Sequence, residues 1–498
     1  MFRQIWRGLA PAVLMLVAIA GNAHAQGVDA TKVQEWKSKA KSLRARWEPL
    51  LAETRTPGLA VAVVAGDEVI LLEAFGKRDV QKNLPADTNT LFYIASSTKS
   101  FVAMAITLLA EEGKLNLDAP VKKYLPRFQL ADAKATEAIT LRDLLSHRPG
   151  LNHPAISFAE AYSGQIDEEK FYRLLATATP RNTFSYSNLH FTLLGRVIQA
   201  VTGKHWREFV EQRILKPAGM KRTVCSGRAL WSDSNAATFT DPRNWNQPIL
   251  AHKTDRTMHA AGGMAASAAD LATWLRLNMN GGKVGGKQVI PATVVKKMQE
   301  QQIENRSNFG PFERTGYGLG WYTSVYKGRA NIHHFGGYEG ARAHVSFMPE
   351  AGLGVVVVMN TQGAMPEIIA ADIYDQLLGL GAPDMVEMAR QRFAQDEARA
   401  QQRPQLTGPN PADGGLTLAV RYAGEYAHPD WGTVTVRVDN GRMTMKIGDL
   451  DTELFSTGEN KLKVRHTGTS DAEFTVSGGQ ATALIMQIDN SPVEFRRK

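Results

Sequence analysis

Three short groups of residues carry side chains that can do chemistry together. Ser96-Ser97-Thr98-Lys99 sets a hydroxyl and an amine three positions apart. On a helix, positions i and i+3 share a face, so the two groups can meet. At a helix N-terminus the positive end of the macrodipole and burial both disfavour an ammonium, which makes the lysine a base near neutral pH and the serine a nucleophile. Tyr186-Ser187-Asn188 offers a phenol to carry a proton and an amide to orient a substrate carbonyl. His334-Phe335-Gly336-Gly337 offers an imidazole able to hydrogen-bond a substrate, and two glycines, Gly336 and Gly337, past which a substrate backbone can approach closely. A lone Ser-x-x-Lys match carries little weight, since Ser38-Lys39-Ala40-Lys41 is another, in a charged surface stretch. It is the three groups in this order that point to acyl transfer through a serine.

Elements must hold these groups in place. Phe101 to Glu112 has apolar residues at helical spacing and ends at Gly113, which puts Ser96 and Lys99 at a helix start. Tyr186 and Asn188 fall in a polar loop before a second apolar helix, Phe191 to Ala200. The small and β-branched run Gly58 to Ala65, the turn Gly66-Asp67-Glu68 and the run Val69 to Phe75 predict a hairpin. A second pair follows far along the chain, Ala343 to Met348 and Leu353 to Met359, with His334 at the edge of the strand leading to it. Between the two pairs the text is mostly helical, with Ser267 and Asp270 forming a capping pattern before Leu271 to Met279. The expected fold is α+β: an antiparallel sheet assembled from both ends of a domain, flanked by helices, with a large helical insertion.

Met1 to Ala25 has a basic start (Arg3, Arg7), an apolar run from Leu9 to Ala20 and a small-residue cleavage site at Ala23-His24-Ala25. It predicts a signal peptide, so the mature chain would begin at Gln26 and be periplasmic or secreted. The apolar run is too short for the ~20 residues of a membrane-spanning helix, and stable membrane insertion is not expected after cleavage. Residues 26–390 then form the hydrolase domain and residues 391–416 a linker rich in Gln, Arg, Ala, Pro and Gly. From residue 417 to 498 the pattern switches to period two, with strands expected at Thr433 to Val438, Met443 to Ile447, Glu453 to Phe455, Lys461 to Val464, Glu473 to Val476 and Leu484 to Ile488: a small all-β domain.

The composition narrows the classes. Hydrophobic residues at 43% and charged residues at 21% exclude bulk disorder and a multi-pass membrane protein. The net charge of +9 comes without a run of five or six basic residues, so nucleic acid is not an expected partner. Cys225 is the single cysteine, which rules out an intramolecular disulfide and a cysteine-based zinc or iron–sulfur site. His-Glu-x-x-His is absent, and no metal or other cofactor is expected. His147 and His333 are expected to be structural.

In order and spacing, the three groups resemble the serine β-lactamase and penicillin-binding-protein superfamily, from about Leu50 to Leu378. Supporting phrases are Phe92-Tyr93-Ile94-Ala95, Leu144-Leu145-Ser146-His147 through Gly150-Leu151, Ala261-Gly262-Gly263-Met264 and Gly318-Leu319-Gly320-Trp321. They are similar to the class C β-lactamase branch, above all to its relatives the D-aminopeptidases, D-stereospecific peptidases and esterases. The resemblance implies that Ser96 is acylated, that Lys99 and Tyr186 share general acid and base duty, that Asn188 holds substrate, and that the backbone N–H groups of Ser96 and Gly337 form the oxyanion hole. It also implies a lipocalin-like barrel for the C-terminal domain. The third group departs from the Lys-Thr-Gly or Lys-Ser-Gly of β-lactamases and penicillin-binding proteins and is closer to the His-x-Gly of the D-aminopeptidases and esterases. The expectation is therefore a hydrolase of small peptide or ester substrates, D-amino-acid peptides first; a carboxylesterase, a β-lactamase and a non-catalytic peptidoglycan- or peptide-binding protein stay open.

Overall fold

The computed structural model describes residues 28–241, 244–249, 252–401, 420–439, 442–464, 471–488 and 491–498. The expected signal peptide lies outside them. So does most of the expected linker, whose first residues continue the helix Met385–Gln401.

Among the described residues the main sheet has nine strands: β1 (Gly58–Ala65), β2 (Glu68–Asp79), β3 (Leu84–Pro85), β4 (Ile303–Phe309), β5 (Phe312–Tyr317), β6 (Tyr322–Tyr326), β7 (Arg329–Tyr338), β8 (Ala341–Met348) and β9 (Leu353–Met359). Their order is β4-β5-β6-β7-β8-β9-β1-β2-β3, so β9 lies beside β1 and the two ends of the domain meet at the sheet's centre. Every residue of β1 and β9 is buried, as near-continuous apolar runs require when both faces are covered. Alternation sorts the faces. Ala60, Ala62 and Val64 join one core with Phe101, Leu271 and Leu275, whereas Leu59, Val61 and Val63 join another with Trp36, Trp47 and Ile369.

Helix α1 (Ala30–Glu53) and a later helix, Met365–Leu378, cover the second face. The first face receives α2 (Thr98–Glu111), buried over nearly its whole circumference, and Ala268–Met279, capped by the Ser267 side chain accepting from the Asp270 N–H. Phe101 of α2 stacks on Trp274 at 3.8 Å between ring centroids. The all-round apolar surface of α2 is what fixes its N-terminus, and hence Ser96 and Lys99, against the sheet.

The C-terminal domain is a closed barrel of eight consecutive antiparallel strands. Two of them, Gly424–His428 and Ser491–Arg497, were not expected from the sequence, and these two close the barrel through Tyr426 opposite Arg497. The barrel rests on the N-terminal domain by specific contacts. The Gln165 side chain accepts from the Thr433 N–H at 2.7 Å and donates to the Thr433 carbonyl at 2.9 Å, as a paired strand would. Asp449 accepts from Arg256 Nε at 3.0 Å, and Trp431 lies 5.7 Å from Phe158.

Candidate active site

Ser96 sits in a 3-10 turn, Ala95–Ser97, that leads directly into α2. Ala95, just before it, has φ +44°, a left-handed conformation that costs a non-glycine residue free energy and persists only where surrounding packing enforces it. The enforcing contacts are visible: Ile94 N–H donates to the Met264 carbonyl at 3.0 Å, and β7 presses on the Ile94 carbonyl from the other side. Ser96 is half-buried while its neighbours on both sides are buried, so the turn presents the serine to solvent.

Lys99 is fully buried. Its Nζ lies 2.8 Å from Asn188 Oδ1, 2.8 Å from the Ala261 carbonyl and 3.2 Å from Ser96 Oγ, and 4.7 Å from the centre of the Tyr186 ring. No carboxylate pairs with it among the described residues, and burial pushes its pKa well below the ordinary lysine value. A neutral amine has two N–H bonds and one lone pair. The two carbonyl oxygens can only accept, so they take the N–H bonds, and the lone pair is left facing the Ser96 hydroxyl. Asn188 thus orients the base through Oδ1, a contact not expected from the sequence, beside the substrate-orienting role expected of its amide. The Ala261 carbonyl was missed as a site group, although the phrase Ala261-Gly262-Gly263 had marked the segment.

Tyr186 lies in the loop before the helix Asn188–Thr202, whose N-cap is Ser187. Its ring packs 4.5 Å from His147, and burial raises its pKa well above the ordinary phenol value. The hydroxyl is buried without a formed hydrogen bond, and the nearby Ser96 side chain lowers its pKa against the larger upward effect of burial. Beneath it, the tautomers of two histidines follow from their partners. The Leu151 N–H donates to His190 Nε2 at 3.0 Å, so His190 Nδ1 carries the proton and donates to His147 Nδ1 at 2.8 Å. His147 is thereby a structural neutral imidazole under Tyr186, as expected.

His334 departs from expectation. It is fully buried, and both ring nitrogens are used inside the protein: Nδ1–H donates to the Phe335 carbonyl at 2.7 Å, and Nε2 accepts from the Tyr317 hydroxyl at 3.1 Å. Burial first, then the nearby Lys99 amine, hold its pKa well below the ordinary histidine value. It therefore stays neutral through the physiological range and has no nitrogen free for substrate; it braces Tyr317 instead. His333, also buried, accepts from Arg314 Nε at 3.2 Å and lies 3.1 Å from Ser324 Oγ. Gly336 is corrected too. A Cβ there would fall 1.9 Å from the Ile94 carbonyl, so the missing side chain lets β7 lie against the nucleophile turn rather than against substrate. Gly336→Ala should cost about 1–3 kcal/mol of stability, as overpacking does, and displace Ser96; thermal melts together with kcat check both. Gly337 is exposed at the rim of β7, opposite Arg342.

Among the described residues no group of three or more His, Cys, Asp or Glu side chains is placed to hold a metal ion. A Beta-lactamase family profile matches residues 43–380. The chain belongs to the β-lactamase family. Residues 417–497, which include the barrel, match a domain of unknown function, DUF3471. Among relatives of this family member, Protein flp of Staphylococcus aureus (strain MW2) is 26% identical over 323 residues, which are 62% of this chain; the chain spans only 61% of that protein's length. Unguisins hydrolase ungD of Aspergillus violaceofuscus (strain CBS 115571) is 27% identical over 424 residues, covering 77% of this chain and 74% of its own. In fold the chain is similar to the octameric penicillin-binding protein homologue from Pyrococcus abyssi, with a TM-score of 0.58 and 24% identity over 93% of this chain and 98% of that one. No helix among the described residues is long and apolar enough to cross a membrane.

Proposed function

We propose that this protein is an exported acyl-transfer hydrolase in which Ser96 is acylated by amide or ester substrates, peptides containing D-amino acids foremost. The observation that carries the reading is the Lys99 amine, held by Asn188 and Ala261 with its lone pair toward Ser96 Oγ at 3.2 Å. Lys99 takes the hydroxyl proton as Ser96 Oγ attacks the substrate carbonyl. The N–H groups of Ser96 and Gly337 receive the oxyanion, a device whose single donors are commonly worth ~3 kcal/mol. Tyr186, kept protonated by burial, passes its proton to the leaving group and regains one from the Lys99 ammonium beside its ring. Water then attacks the acyl-enzyme, losing a proton to Lys99, which returns it to Ser96 Oγ as the acyl chain leaves. The preference for peptides over β-lactams is drawn from the likeness of the His-x-Gly third group to that of the D-aminopeptidases and esterases, not from a contact of His334 with substrate. It is supported by the naming of one relative as an unguisins hydrolase. The Ser96–Lys99–Tyr186 set favours an enzyme over a silent binder, which has no use for a proton shuttle.

The test is an intact-mass measurement on protein recovered from its native secretory route and exposed to a neutral fluorophosphonate probe. The mass should correspond to a chain beginning at Gln26 with one adduct, mapped to Ser96 and absent in Ser96→Ala. An adduct that persists in Ser96→Ala would refute the acyl-enzyme, and a full-length chain found in the cytoplasm would refute export.

A further inference from the structure

Lys253 is a second buried amine, 1% exposed, with no carboxylate paired to it among the described residues. Burial brings its pKa down to about 7. One of its N–H bonds goes to the Ala161 carbonyl at 2.5 Å, in the wide helical turn Ala159–Ser163. The rest of the amine faces aromatic rings: Nζ stands 4.3 Å from the centre of the Tyr338 ring and 5.7 Å from that of Tyr93. Hiding an amine from water without a counter-ion is costly, and a methionine would fill the same space without that cost. What the amine adds is a directed attraction to ring faces, strongest where water is excluded.

The two rings lie at the two halves of the oxyanion hole. Tyr93 ends the short strand Phe92–Tyr93 that runs into the Ser96 turn, and its hydroxyl donates to the Gly262 carbonyl, next to the Ala261 carbonyl that holds Lys99. Tyr338 is the last residue of β7, directly after Gly337. The ladder between β6 and β7 stops at His333, so from His334 to Tyr338 the strand is paired in the sheet only by β8. Gly337 is exposed and has no side chain to anchor it, so the direction of its N–H follows the packing of Tyr338. The rings of Tyr93 and Tyr338 meet edge to face at 5.5 Å, and Tyr162 stacks on Tyr338 at 5.5 Å from the same turn that supplies the Ala161 carbonyl. Lys253 thus ties three segments at one point: the approach to Ser96, the end of β7 and the turn Ala159–Ser163.

We propose that Lys253 is a positioning residue for the oxyanion hole: seated on Tyr93 and Tyr338 at once, its amine holds the backbone N–H groups of Ser96 and Gly337 at the separation that a tetrahedral oxyanion requires. This rests on the acyl-enzyme reading above. Lys253 acts through the two rings and not on substrate, so its loss should weaken the transition state and spare substrate binding. The test compares the wild type with Lys253→Met on a p-nitrophenyl ester, counting competent sites by endpoint labelling of Ser96 with the neutral fluorophosphonate. Phenylboronic acid gives the second reading: its boron bonds Ser96 Oγ as the hydroxyl proton passes to Lys99, which places an oxygen in the oxyanion hole. In Lys253→Met, kcat per labelled site should fall about ten- to a hundredfold with KM within about twofold, short of the roughly 10^2- to 10^3-fold of losing a donor outright. The boronic acid should bind more weakly by a similar factor. An unchanged kcat per site, a loss that lies in KM, or an unchanged boronic acid affinity while kcat falls each overturns the proposal. A purely structural role would lower only the number of labelled sites, which is the first of these outcomes. Should Lys253→Met not fold, Tyr338→Leu, which removes the ring face under the amine, is read in the same way and judged by the same outcomes. Failure of Ser96 to label in the wild type would instead strike the acyl-enzyme reading, leaving the two results distinguishable.

Discussion

Lys99→Met should lower kcat by about 10^3- to 10^4-fold, near the upper range for losing a general base. Methionine fills much the same space but offers no lone pair to the Ser96 hydroxyl. It also leaves Asn188 Oδ1 and the Ala261 carbonyl without their shared donor, at about 1–3 kcal/mol each, partly offset because an amine no longer has to be buried. Lys99→Arg should be as inactive as Lys99→Met, since a guanidinium does not give up its proton. An arginine variant with appreciable turnover would show that charge, not basicity, is what Lys99 supplies. In the wild type, kcat/KM should rise with pH as the Lys99 amine loses its proton. Burial places that limb well below the ordinary lysine range, and the upward shift of Tyr186 keeps the alkaline side flat.

Acid should unfold the β-lactamase-family domain over a narrow interval. His147, His190, His333, His334 and His344 are all fully buried. Burial is the first cause holding each below the ordinary histidine pKa, with His190 and His344 brought down to about 3. The unfolded chain therefore binds protons at these positions near pH 6.5 while the folded chain does not. Stability is greatest above that pH and is lost as pH falls toward the folded-state values. One unit below pH 6.5 each imidazole removes about 1.4 kcal/mol, so the five together remove on the order of 7 kcal/mol. Glu160 offsets this in part, because burial raises its pKa to about 7 and it takes up a proton in the folded chain first. Thermal midpoints followed from pH 7.5 to 5 should drop steeply. His344→Phe supplies the control, because neither ring nitrogen of His344 has a partner. The variant should flatten the pH slope by about one proton's share, and an unchanged slope would place the acid sensitivity elsewhere.

The sheet centre and α2 were legible because their sequences are extreme: Gly58–Ala65 and Leu353–Met359 are apolar at every position, and α2 is apolar almost all round. The edge was not. Ile303–Phe309 faces solvent along most of its length and reads as polar loop, while Ser491–Arg497 holds a proline and three charges and becomes a strand only by closing the barrel. Ser96, Lys99 and Tyr186 were found because a hydroxyl, an amine and a phenol announce their chemistry by type and spacing. Spacing does not say which way a side chain faces, so the contact of Asn188 Oδ1 with the base and the turn of His334 toward Tyr317 come from the folded chain alone. Arg314 sits in no motif, and the three rings around it are brought together only by the folded chain.

The neighbouring of β1 and β9 has a cost in time. During synthesis at roughly 5–20 residues per second, about 290 residues must be added after β1 is complete before β9 can pair with it, a delay of about 15–60 s. Throughout that interval the hairpin of β1 and β2 has one bare flank of backbone donors and acceptors along a run of alanine and valine, the kind of edge that recruits other chains. Crowded synthesis therefore endangers this protein most before its last central strand is made, and slower expression or a chaperone that shields extended segments should raise its yield more than any change to the finished surface.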